Sequence, residues 1–211
     1  MAEEQPTGRR ERNKQANREA ILAAGLKVFT TIGYDAATIR DIVRESGLSP
    51  GTFYNYFNDK ETVFTHLLRD LIMEVQARVR EARAQAGTAR EFIADAFRVY
   101  FEVFARDKEM LLLIARNQSV LRSVIFEGDL ISALIEDLES DLTRARDAGL
   151  LPAVPTRITA WAMVGAGFEI LAQISKGSKV SPGDASEFMA DLFLGGMEGA
   201  AKGAAAKAVS E

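Results

Sequence analysis

The segment LSPGTFYNYFNDKE, residues 48–61, sets four aromatic rings among Ser49, Thr52, Asn55 and Asn58. Rings at this density belong in a core, whereas hydroxyls and amides belong on a surface that makes hydrogen bonds. A helix reconciles the two. At about 100° per residue, Phe53 and Phe57 point one way, Gly51, Thr52 and Asn55 the other, and Tyr54 and Tyr56 lie on the flanks. A short helix that buries the two phenylalanines presents a small hydrogen-bonding face. On it Thr52 and Asn55 can reach base edges, Gly51 lets the backbone come close, and both tyrosines can donate to phosphate oxygens. A second stretch carries the matching charge: residues 8–18, GRRERNKQANR, hold five positive charges and one negative, a basic arm of the kind that meets phosphate. Two plainer readings stand beside these, a solvated tail for the arm and a protein–protein anchor for the tyrosines.

Helices must position these residues. Apolar residues recur at three- and four-residue intervals, strand-like alternation is absent and Pro is scarce, so the fold class is all-α. Ile21, Leu22, Leu26, Phe29 and Ile32 mark a first helix that ends at Gly33. Thr38 caps a short helix through Glu45, with Asp41 in the capping-box position and Ile39, Ile42 and Val43 as its buried face. Gly47 permits a sharp turn, Ser49 caps a third helix, and Pro50 takes that helix's first position, where a missing N–H costs nothing. The arrangement is that of an N-terminal three-helix helix-turn-helix domain whose recognition helix enters a major groove. A long helix from Lys60 to about Ala86 connects it to a larger helical domain, with helices near 89–105, 108–125, 129–148, 156–175 and 184–200. The expected division is a basic flexible arm over 1–17, the helix-turn-helix domain over 18–64, a larger helical domain over 65–200, and a frayed tail over 201–211.

Composition removes several function classes. The chain has no cysteine and one histidine, His66, which excludes disulfides and thiolate chemistry and argues against a metal cage. His66 reads as a surface or hinge residue. No histidine pair and no phosphate loop are present, and the GAG at 165–167 follows no strand, so no enzyme, cofactor or metal is expected. The run IEDLESD, 135–141, reads as a solvated helix face. No apolar run is expected to reach the ~20 residues that cross a membrane, and the N-terminal stretch lacks the apolar segment of a signal peptide; the expected location is the cytoplasm. Charge is uneven, with a net of +1 over residues 1–60 and −5 over 61–211.

Residues 18–64, REAILAAGLKVFTTIGYDAATIRDIVRESGLSPGTFYNYFNDKETVF, resemble the DNA-binding domain of the TetR family of one-component transcriptional regulators. Spacing, glycine positions and the GTFYNYFNDKE ending agree together over the segment, while the rest of the chain matches only in being helical and of suitable length. The resemblance implies a double-stranded DNA operator and a role for each matching position. Thr38 would contact phosphate from the start of the second helix and Arg40 a phosphate or a base, Ser49, Gly51, Thr52, Tyr54 and Asn55 would make the recognition contacts, and Tyr56 and Lys60 would clamp the backbone. Ala37 stands where the family often has a second threonine, and Pro50 where relatives often carry a longer polar side chain.

The second domain is expected to hold a homodimer and a small-molecule effector. Its last two helices are too apolar to be half-exposed and contain clustered small residues, which places the interface at Trp161, Gly165, Phe168, Phe188, Leu192 and Gly196. An internal hairpin of the core is the plainer alternative. Phe97, Tyr100, Phe101 and Phe104 form an aromatic stripe from which a cavity can be cut, and Arg116 and Gln118 can orient the polar end of a hydrophobic or amphipathic ligand. The reading that results is a ligand-responsive regulator, a repressor on a palindromic operator, with a helical adaptor module as the alternative.

Overall fold

The computed structural model describes residues 6–126 and 129–209, and among these every regular element is a helix. Helix α1 spans Pro6–Ile32. Residues 6–17, expected as a flexible arm, are therefore its first turns, as their content of Arg, Glu, Lys, Gln and Ala favours. One face of α1 buries Ile21, Ala24, Val28 and Phe29. Gly25 lies on that face because α4 comes close: a Cβ there would sit 2.6 Å from Val63 Cγ1.

Helices α2 (Ile39–Ser46) and α3 (Pro50–Tyr54) complete the helix-turn-helix, and α4 (Lys60–Gln85) leads out of it. The boundary expected after residue 64 falls inside α4. That helix gives Val63 and Phe64 to the first core and Leu68, Ile72, Val75 and Val79 to its continuation, so one apolar core runs from Ile21 to Met197.

In the second half, α5 (Ala89–Arg106) packs between α4 and α10 (Pro182–Val209), while α9 (Thr156–Ser175) rests on α8 (Asp129–Asp147), α6 (Lys108–Arg116) and α5. The single helix expected over 108–125 is two, α6 and α7 (Gln118–Phe126), broken at Asn117. Residues 201–209, expected to be frayed, continue α10. A further correction concerns α9. With a mean hydropathy of 1.3 it is long and apolar enough to cross a membrane by composition, yet it buries Met163, Gly167 and Leu171 against its neighbours.

Candidate nucleic-acid interface and internal cavity

Local chemistry fixes the helix-turn-helix. The Thr38 N–H donates to Asp41 Oδ2 at 3.0 Å and the Asp41 N–H to Thr38 Oγ1 at 3.3 Å, a reciprocal cap on α2. Bonds from the Thr38 hydroxyl and N–H hold the Asp41 carboxyl below the usual carboxylate range. Gly47 ends α2 at φ 69°, in the left-handed region that glycine adopts without strain. Ser49 Oγ then accepts the Thr52 N–H at 3.1 Å and starts α3. At the head of α4, Asp59 accepts the Thr62 N–H at 2.7 Å, which lowers the Asp59 carboxyl in the same way.

On this frame the aromatic segment divides as its spacing predicts. Phe53 and Phe57 are 0% and 2% exposed, whereas Tyr54 is 55% exposed and Gly51 and Asn55 face outward. Thr52 and Tyr56 are half-buried. A Cβ on Gly51 would meet only Ser49 Oγ, at 3.9 Å, so packing within the chain does not require glycine there. Arg40 is exposed and has no ion pair among the described residues. The Tyr56 hydroxyl accepts from Asn17 Nδ2 at 3.4 Å, which sets the basic turns of α1 beside α3. Arg10, Lys14 and Arg18 recur there at four-residue spacing, with no ion pair among the described residues.

Lys60 departs from expectation. Its Nζ donates to the carbonyls of Tyr34 at 2.7 Å and Ala37 at 2.9 Å, and lies 4.3 Å over the Tyr34 ring. The ammonium ties the head of α4 to the loop between α1 and α2 and is not held out as a phosphate clamp. Ala37 is 2% exposed, so this position presents no side chain to a backbone phosphate. His66 also faces inward: its Nδ1–H donates to the Thr62 carbonyl at 2.9 Å and its ring meets Phe57 edge-on at 5.4 Å.

A cavity of about 150 Å³ lies among α4, α5, α8 and α9. Phe97, Tyr100 and Phe104 line it, as the stripe predicts; Phe101 is fully buried and does not. Burial pushes the Tyr100 phenol well above its ordinary range. Neither Arg116 nor Gln118 reaches the cavity. Arg116 Nη1 bonds the carbonyls of Thr30 and Thr31, and Gln118 Nε2 donates to the Ala172 carbonyl at 3.3 Å. The polar end of the cavity comes from residues the sequence reading did not select: Gln76, Arg80 and Arg83 of α4, with Asp137 and Asp141 of α8. Asp141, expected on a solvated face, is 6% exposed. The signal was present as spacing, since 76, 80 and 83 share one helical face and 137 and 141 share another.

Between the cavity and the helix-turn-helix stands Asn117, 2% exposed. Its Oδ1 accepts the Tyr34 N–H at 2.6 Å, and its Nδ2 donates to the carbonyls of Leu113 at 2.7 Å and Phe29 at 3.2 Å. One side chain thus joins the break between α6 and α7 to the end of α1.

The outer faces of α9 and α10 are apolar and open. Ile158, Trp161, Phe188 and Leu192 are 63%, 51%, 61% and 54% exposed. Gly165, Gly195, Gly196 and Gly199 lie on the same helical stripes, and a Cβ at any of them would meet nothing within 4 Å. Both helices reach Phe97 of α5: Phe193 stacks on it at 6.0 Å, and a Cβ on Gly167 would lie 3.2 Å from it. Phe168, expected in the outer face, instead lines the cavity.

Residues 21–67 match the family described as bacterial regulatory proteins, tetR family. The fatty acid metabolism regulator protein of Bacillus subtilis (strain 168) is 23% identical over 133 residues, 61% of this chain and 68% of that protein. The HTH-type transcriptional activator FasR of Mycolicibacterium smegmatis is 26% identical over 153 residues, 70% of this chain and 69% of that protein. Among solved structures, the transcriptional regulator FadR of Bacillus subtilis in complex with stearoyl-CoA superposes with a TM-score of 0.70 at 21% identity, covering 84% of this chain and 98% of that one. The last likeness is one of fold.

Proposed function

We propose, from the premise that this chain belongs to the TetR family of transcriptional regulators, that it is a cytoplasmic repressor that binds a palindromic operator as a homodimer and is released by a small amphipathic effector. The observation that carries the reading is the division of α3: Phe53 and Phe57 anchor it while Gly51, Tyr54 and Asn55 are exposed. That face is small and polar, as entry into a major groove requires. Exposed Arg40 and the basic stripe of α1 are placed to meet phosphates on either side. The open faces of α9 and α10 supply a surface on which a Cβ at any of four glycines would meet nothing within 4 Å among the described residues, the condition for close approach of partner helices.

Effector coupling runs through two rigid connections. Helix α4 walls the cavity and is tied by Lys60 to the loop before α2. The α6–α7 break carries Asn117, while Ile114 and Leu121, on either side of it, line the cavity. A ligand that parts α4 from α8 would move both connections and spoil the ~34–36 Å spacing of two recognition helices. The solved FadR of the same fold, in complex with stearoyl-CoA, supports an amphipathic effector.

The test is selection of the purified chain against random duplex DNA. Enrichment of an inverted repeat supports the reading; a folded dimer that enriches nothing overturns it and favours a protein adaptor. Salt then probes the arm. Changing Arg10, Lys14 and Arg18 together to Ala should weaken binding uniformly across sequences. The slope of log affinity against log salt should fall by about 0.9 for each phosphate contact removed. An unchanged slope would take these residues off the DNA.

A further inference from the structure

Arg83 stands at the polar end of the cavity with 14% of its side chain exposed. Its Nη1 donates to Asp141 Oδ2 at 3.2 Å, and its guanidinium lies 5.9 Å from the Phe92 ring. The Nε–H is buried and has no acceptor among the described residues. A buried donor without a partner is costly, and one on a cation that burial already disfavours is more so.

Neither neighbouring carboxylate bonds this Nε–H, and each already accepts two other donors. Gln76 and Arg80 both donate to Asp137, and Arg144 joins Arg83 on Asp141. Counting charge at the wall, the guanidiniums of Arg80 and Arg83 balance the carboxylates of Asp137 and Asp141, with exposed Arg144 bonded to Asp141 from outside. The rest of the wall is apolar, with Phe97, Phe104, Met163 and Leu171 among its side chains.

We propose that the cavity binds the free carboxylate of an acyl chain, with a carboxylate oxygen accepting the Arg83 Nε–H and the chain lying along the apolar wall. This rests on the effector reading above and names the class of effector. The unpartnered Nε–H of a guanidinium calls for an acceptor, the edge that carries it matches a carboxylate, and the wall selects a hydrocarbon. A cavity of about 150 Å³ admits only a benzene-sized body as it stands. A longer chain must therefore press α4 away from α8, and α4 is the helix braced to the DNA-binding loop by Lys60.

Titration calorimetry of the full chain with decanoate, decan-1-ol and decanoyl-CoA tests the site without DNA. Decanoate should bind at least about tenfold more tightly than the alcohol, the worth of one charge-assisted hydrogen bond. Arg83→Lys keeps the cation beside Asp141 but has no Nε–H. It should lose about tenfold in decanoate affinity and leave the alcohol unchanged. Equal binding of acid and alcohol, tighter binding of the thioester than of the free acid, or an unchanged Arg83→Lys would each overturn the assignment. If melting shows that Arg83→Lys is unfolded, the acid-to-alcohol ratio of the wild type decides. Release of the selected DNA by decanoate is read separately: binding without release would leave the site standing and overturn the regulatory reading.

Discussion

Phe188→Glu is expected to turn a dimer into a folded monomer and to lower affinity for a two-half-site operator by roughly two to four orders of magnitude. Phe188 is 61% exposed on α10, one turn before Leu192, and both belong to the stripe that continues through Gly195, Gly196 and Gly199. A carboxylate there faces no cost in the monomer, because water reaches it. In a dimer it would be buried against the partner's apolar stripe, and an unpaired buried charge is among the most destabilising changes an interface can receive. DNA affinity follows from assembly. A dimer's second head binds its half-site at an effective concentration in the millimolar range, and a monomer loses that advantage entirely. Sedimentation gives the assembly state, circular dichroism the fold, and titration of the selected inverted repeat the affinity. A Phe188→Glu variant that stays dimeric would move the interface off this face.

How much of this could be read before the structure depends on the range of the interactions. The helix-turn-helix was legible because its determinants are local: Thr38 with Asp41, Gly47 at the turn, Ser49 with Thr52, and Phe53 with Phe57 lie within a few residues of each other. The open apolar face of α9 and α10 was largely legible for the same reason, since glycines and large apolar residues at helical spacing need no partner to be recognised. Phe168 fails there because it lies on the cavity-facing side of α9. The polar end of the cavity was not legible. Arg83 and Asp141 are 58 residues apart, and neither charge run announces its partner. Asp137 and Asp141 point inward because α4 brings guanidiniums to meet them, whereas exposed Glu136 of the same run remains in water. The two carbonyl bonds of Lys60 were not legible for a related reason. A lysine at a helix start reads as a surface cation until the chain folds two carbonyls, Tyr34 and Ala37, into its reach.

Asn117 is where such long-range bonding should have its largest effect on stability. Asn117→Leu keeps the volume nearly constant but leaves the Tyr34 N–H and the Phe29 carbonyl without their side-chain partner. At about 1–3 kcal/mol for each buried polar group left unpaired, urea unfolding should show a loss of roughly 2–5 kcal/mol. Hydrogen exchange separates this from a general loosening of the fold. The Tyr34 amide should lose protection most, because its acceptor is Asn117 Oδ1. Amides in the middle of α5, which do not depend on the junction, should fall only by the global change. The consequence for function follows from the position of the residue. Asn117 joins the cavity-lining helices to the end of α1, so its loss should also reduce the coupling between ligand and DNA, a factor of roughly 5–150 in systems of this kind. Wild-type stability together with undiminished protection of Tyr34 would show that the two halves are held by α4 alone.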